Sequence, residues 1–120
     1  MILAITAKGT DLNSELDPRF GRAQNYILYN TELKKFKVLS NEYINAAGGA
    51  GTAAAQLMAD NSVDVVISGN FGPNAVMGLQ SLNIKMFTSN SGIVSEVISA
   101  YQGGLLTEAA GPTVEGKHSR

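Results

Sequence analysis

The chain has 120 residues, nine basic against ten acidic for a net charge of -1, 44% hydrophobic and 16% charged residues, and no cysteine. That length fits one domain rather than a binding domain joined to a substrate domain, and the apolar share is too high for a disordered chain. The charge balance excludes a global field that draws the protein to nucleic acid or an anionic membrane, and the missing thiols exclude disulfides, thiolate ligation and cysteine catalysis.

"MILAITAKG" opens with a near-continuous apolar run from Ile2 to Ala7, the pattern of a strand buried on both faces, closed by Gly9. The polar stretch "TDLNSELDPRFGRAQ" contains Asp17-Pro18 and Gly21, and is too long for a hairpin turn, so it is an excursion. "NYILYN" and "KFKVLS" are strand-like runs around "TELK" and predict an antiparallel hairpin towards a sheet edge. After "AAGGAGTAAAQL", Ala53, Ala54, Leu57 and Met58 share a helical face, with the helix ending near Asp60-Asn61.

"VDVVISG" predicts a second buried strand, and "GPNAVMGLQSLN" a helix with Pro73 in its first turn and Ala75, Val76, Leu79 and Leu82 inward. "IKMFT" is a short strand, and Val94, Val97, Ile98 and Tyr101 keep helical spacing before Gly103-Gly104. The order β-β-β-α-β-α-β-α predicts a three-layer α/β domain over residues 1–110, with a flexible polar tail at 111–120. With the opening strand beside "VDVVISG", segments 9–24, 46–52, 69–74 and 88–92 gather at the carboxyl ends of the parallel strands, the usual ligand crevice. No secretory leader and no run of membrane-spanning length is present, so a soluble, cytoplasmic protein is expected.

Gly49-Ala50-Gly51-Thr52-Ala53-Ala54 matches G-x-G-x-x-A in form. The dinucleotide fingerprint also needs a buried strand just before it and an acid about 20 residues on; "SNEYINAA" precedes it, and Asp64 comes early, so no nucleotide is expected. What remains is a helix start whose free N–H groups and dipole favour an anion; alternatively, Gly48, Gly49 and Gly51 serve only a tight turn and close packing. "GNFGPNA" repeats the arrangement with Asn70, Gly72 and Asn74, and has the same bland alternative of turn and cap chemistry.

In "DPRFGRA", Arg19 and Arg22 flank Phe20-Gly21. Guanidinium groups suit anions, and an exposed Phe20 would cover a bound one; the alternative is two solvated arginines and a phenylalanine in the core. Asp11, Glu15 and Asp17 are expected to be solvated loop carboxylates rather than cation ligands. His118, the lone histidine, is the one candidate nitrogen ligand for a metal and lies in the tail, which leaves no usual base for serine or threonine catalysis. A non-enzymatic protein is expected.

The segments "ILAI" with "GTDL", "DPRFGRAQNYILYNTE", "GGAGTAAAQLMADNSVDVVISGNFGPNAVMGLQSLNIKMF" and "EVISAYQGGLLTEA" run in order along nearly the whole chain. In them the sequence resembles the dinitrogenase iron-molybdenum cofactor biosynthesis family, small domains similar to NifX, NafY and the C-terminal part of NifB, with the orange protein as one branch. The resemblance implies a ribonuclease H-like α/β/α domain with a mixed, five-stranded sheet. It also implies an anionic metal-sulfur cluster, of iron-molybdenum type in nitrogen-fixing members and molybdenum-copper sulfide in the orange protein branch, held without thiolates. Relatives often carry a histidine- or cysteine-containing segment, whereas this chain has only "EGKHSR".

The expected function is therefore a carrier that holds such a cluster in the crevice and exchanges it with a donor or acceptor protein. Arg19, Phe20, Gly21, Arg22, Gly48, Gly49, Gly51, Thr52, Asn70, Gly72 and Asn74 form its site. The rival expectation is a metal-free interaction or regulatory domain that uses the same crevice.

Overall fold

The computed structural model describes residues 1–42, 44, 49–90 and 92–111. Strands β1 (Ile2–Ala7), β2 (Asn25–Asn30) and β3 (Lys35–Ser40) are followed by α1 (Ala50–Asp60), β4 (Val65–Ser68), α2 (Pro73–Ser81), β5 (Lys85–Thr88), α3 (Val94–Gln102) and β6 (Thr107–Glu108). They build one mixed sheet in the order β3-β2-β1-β4-β5-β6. β1 runs parallel to β4, and β4 to β5; β2 is antiparallel to both β1 and β3, and β6 to β5. β1 is central, as its two-sided apolar pattern predicts.

Alternation along the strands divides the core into two layers. Ala4, Tyr26, Leu28, Val66 and Met86 point to one face and pack with Ala54, Ala55 and Met58 of α1 and Ala75, Val76 and Leu79 of α2. Leu3, Ile5, Ile27, Val65 and Ile67 point to the other and meet Val94, Val97 and Ile98 of α3. The result is the three-layer α/β/α arrangement, with two helices on one face and one on the other. Tyr101 closes the end of α3 by stacking edge-on against Phe87 at 5.0 Å.

Two details differ from the sequence expectation. The sheet has six strands rather than five: β6 is only two residues long, too short to show alternation, and pairs Phe87 with Glu108 and Thr88 with Thr107 as the chain returns past β5. The buried face of α1 is Ala50, Ala54, Ala55 and Met58, with Ala53 and Leu57 half-buried. α1 packs against its neighbour helix as well as the sheet, so the face turns toward Gly78 of α2, where a Cβ would meet Ala55 Cβ at 2.9 Å.

Crossovers place the site. Because β1, β4 and β5 are parallel, their carboxyl ends lie at one edge, and the α1 start that leads into β4 and the α2 start that follows it lie there too. At the opposite edge Asp64 accepts a hydrogen bond from Ile2 N at 2.8 Å, a strand tie far from any nucleotide role. Among the described residues no helix is long and apolar enough to cross a membrane.

Candidate functional site

The excursion after β1 is pinned from below by a residue expected to be solvated. Asp17 is 1% exposed. Its backbone N–H donates to the Thr6 carbonyl at 2.9 Å and its carbonyl accepts from the Thr6 hydroxyl at 2.6 Å, while the Thr6 and Ser68 hydroxyls share a 2.9 Å bond. The carboxylate accepts from Arg19 N at 3.1 Å and Gln24 N at 3.2 Å, bridging both ends of the "PRFGRAQ" loop, and pairs with Arg19 Nε at 3.5 Å. The Asp17-to-Arg19 contact is an Asx turn, the one part of this arrangement that Asp-Pro-Arg signals locally.

Phe20 corrects a second expectation. It is 1% exposed, and its ring lies 5.7 Å from Tyr26 and 5.5 Å from Phe71, so it anchors the loop in the core, the alternative of the two sequence readings, and has almost no surface left to cover a ligand. Burying that ring is worth about 1.5–3 kcal/mol, far more than a partial lid over a polar hollow. Tyr26 donates its hydroxyl to the Phe20 carbonyl at 2.6 Å, and the Asn41 amide donates to the Gly21 and Ala23 carbonyls at 3.0 and 2.9 Å and to the Tyr26 hydroxyl at 3.2 Å. Burial, reinforced by the charge of Asp17, holds the Tyr26 phenol well above its ordinary pKa, so it stays a neutral donor. Sequence reasoning missed Tyr26 and Asn41 because nothing in their neighbours marks a contact to a loop across the sheet edge.

The loop and the two helix starts enclose a hollow of about 420 Å³. Arg19, Phe20, Gly21, Arg22, Gly49, Gly51, Asn70, Gly72 and Asn74 border it, joined by Ala50, Pro73 and Ala75. Thr52 lies in the first turn of α1 beyond this lining, and Gly48 and His118 lie outside the described residues. The described residues of the fourth expected segment do not contribute: Asn90 and Gly92 border a separate hollow of about 430 Å³ with Lys8, Glu15 and Pro18, near α3. The Arg19–Asn70 bridge, with Phe20 N donating to the Asn70 carbonyl at 3.2 Å, ties the loop to the end of β4.

Glycines set how closely the walls approach. A Cβ on Gly21 would meet Gly51 N at 3.1 Å, and one on Gly51 would meet Ala75 N at 3.0 Å, so the loop, α1 and α2 touch backbone to backbone. Gly49 takes the left-handed conformation at φ 75° to begin α1. Neither Gly49 nor Gly72 supplies a side-chain cap, and the first turns of α1 and α2 hold no acidic residue. α3, in contrast, carries Glu96 in its first turn, which accepts from Ile93 N at 3.5 Å.

Arg19, Arg22 and two positive helix ends border the hollow, and among the described residues no carboxylate, histidine or thiol lines it; Asp17, which pairs with Arg19, lies outside the lining. Arg22 Nη1 donates to the Ile44 carbonyl at 2.8 Å, and Arg19, whose side chain is 59% exposed, meets only Asp17 among the described residues. The described residues also contain no group of three or more His, Cys, Asp or Glu placed for a metal ion. Such a donor set suits an anion that brings its own metal ligands, and is unsuited to a bare cation.

A family model described as dinitrogenase iron-molybdenum cofactor matches residues 1–104. An uncharacterized protein from Methanocaldococcus jannaschii is 31% identical over 97 residues, covering 78% of this chain and 82% of that protein. The fold is similar to the apo form of the orange protein from Desulfovibrio gigas, with a TM-score of 0.91 and 31% identity over 94% of this chain and 96% of that one. It is also similar to the NMR structure of a candidate NifB protein from Thermotoga, with a TM-score of 0.85 and 35% identity over 96% and 98%. With a family match over this much of its sequence, the chain belongs to the dinitrogenase iron-molybdenum cofactor family.

Proposed function

We propose that this chain is a non-enzymatic carrier whose hollow holds an anionic metal-sulfur cluster as cargo, of molybdenum-copper sulfide or iron-molybdenum type, without protein-metal bonds. The observation that supports this most is the lining of the hollow: Arg19, Arg22 and the uncapped starts of α1 and α2 converge, and among the described residues no acid or soft ligand joins them. Membership of a family described by the iron-molybdenum cofactor and similarity to an apo orange protein point the same way. Each exposed helix-end interaction is worth only about 0.3–1 kcal/mol, so retention comes from several together. The cargo would pass to or from a cluster donor or acceptor protein.

Arg19 would be held in place by Asp17, and Arg22 would act from the wall formed with Ile44. Gly49, where a Cβ would meet nothing within 4 Å, would leave the start of α1 open to the cargo, while Gly21 and Gly51 bring the three walls together. Reconstitution with tetrathiomolybdate and copper, followed by desalting, visible absorption and metal and sulfide analysis, tests the reading. Stoichiometric colour should remain on the wild-type chain, and Arg19→Ala/Arg22→Ala should retain roughly tenfold less or lower while its circular dichroism is unchanged, as expected for losing about 1.4 kcal/mol or more of binding. Equal retention by the double variant sinks the proposed site, and a wild-type chain that stays colourless here and with iron and sulfide favours the metal-free interaction domain.

A further inference from the structure

Away from β6, the sheet ends in β3. Its six residues pair with β2 on one side, and among the described residues no strand pairs with the other. Lys35, Phe36 and Lys37 are exposed, Phe36 at 40%. The register sets Leu28 opposite Lys37 and Tyr29 opposite Phe36, which puts the lysines on the face of α1 and α2 and Phe36 with Val38 on the face of α3. Lys34 in the preceding turn adds a third cation, and none of the three joins an ion pair among the described residues. On a chain whose net charge is -1, this is a local basic ridge on an open strand edge.

An open edge offers a row of backbone donors and acceptors, and the side chains along it decide which strand is accepted. A second copy of β3 would lay its own lysines alongside these, like charge against like. We propose that β3 is the docking strand for an extended segment of a partner protein in which acidic and apolar residues alternate. Its acids would lie beside Lys35 and Lys37, and its apolar residues beside Phe36 and Val38. β3 also leads into the wall of the hollow: it ends at Ser40, and the next residue is Asn41, which holds the Gly21 and Ala23 carbonyls. A strand docked there ends next to the loop that borders the hollow, whatever the hollow contains.

The test uses the full chain and a fluorescein-labelled peptide of alternating glutamate and valine, read by anisotropy and by amide hydrogen exchange. Saturable binding with new protection confined to residues 35–40 is expected, and Lys35→Glu/Lys37→Glu should weaken it roughly tenfold or more. Both side chains are exposed and outside the hollow, so that variant should keep its circular dichroism and its thiomolybdate retention. A lysine-valine peptide of the same length should not bind. Equal binding of the two peptides, protection elsewhere, indifference to the double substitution, or no saturation up to about 1 mM would each overturn the proposal. Peptide binding without thiomolybdate retention would remove the cargo reading and leave this one standing.

Discussion

Tyr26 has no exposed surface, and its hydroxyl joins the Phe20 carbonyl to the Asn41 amide. Removing that oxygen leaves a buried carbonyl short of a donor, so Tyr26→Phe should cost about 1–3 kcal/mol in urea denaturation near neutral pH. The pH dependence has a defined sign. The folded-state pKa of Tyr26 is raised above its ordinary 10.0, by burial first and by Asp17 second. Its contribution is therefore complete below about pH 10 and declines above it, as the unfolded tyrosine ionises and the folded one does not. Comparing about pH 8 with about pH 11, wild type should lose up to about 1.4 kcal/mol per pH unit above pH 10 more than Tyr26→Phe. Parallel pH profiles for the two proteins would show that Tyr26 ionises as readily in the folded state. At this scale Arg19, Gly21 and Arg22 were legible as a loop with a charge pattern, whereas the burial of Phe20 stood only as the alternative and that of Asp17 was not legible. Burial of a loop side chain depends on what the sheet edge offers it, here Thr6, Tyr26 and Phe71.

Helices α1 and α2 owe their spacing to small residues, and that spacing positions their starts. Gly78 lies inside α2, where alanine would gain about 1 kcal/mol in helix propensity. The added methyl, however, would sit 2.9 Å from Ala55 Cβ, an atom fixed to the α1 backbone. Overpacking of this kind costs about 1–3 kcal/mol, so Gly78→Ala should be destabilising by about 1 kcal/mol net in chemical denaturation. Because the helices must separate to admit it, the same variant should also retain less thiomolybdate, although Gly78 does not border the hollow. Gain of stability with unchanged retention would mean the pair can relax without moving its N-termini. The existence and order of all three helices were legible from apolar spacing, and Pro73 marked the start of α2. The rotation of the α1 face was not, since Ala53, Ala54 and Ala55 look alike until a neighbour helix selects among them.

For the whole molecule, a net charge of -1 gives no global pull on an anion, so attraction at the hollow, as at the basic edge of β3, would be local and fall off within a Debye length of about 8–10 Å. The polar segment beyond residue 111 carries His118 and lies outside the described residues. If the cargo is held only by the hollow, a chain ending at Gly111 should keep its denaturation midpoint and its thiomolybdate-copper retention. A loss of metal with the fold intact would make His118 a ligand. The order of strands and helices led to the carboxyl ends of β1, β4 and β5 as the edge where described parts of these loops lie, because parallel crossovers permit few alternatives, but not to their division between two hollows. The division of that edge into one hollow beside α1 and α2 and another beside α3 followed from the Arg19–Asn70 bridge, a contact between residues far apart in the chain.

By itself the sequence determined the elements, their order, the central place of β1 and the edge at which the glycine-rich helix starts meet. Those features follow from side-chain periodicity and turn chemistry, which act over a few residues. Only the tertiary structure decided that Phe20 faces inward, that Asp17 is the loop's internal acceptor, and that β6 completes a sixth strand. Each of these is fixed by a partner across the fold, so no local pattern encodes it.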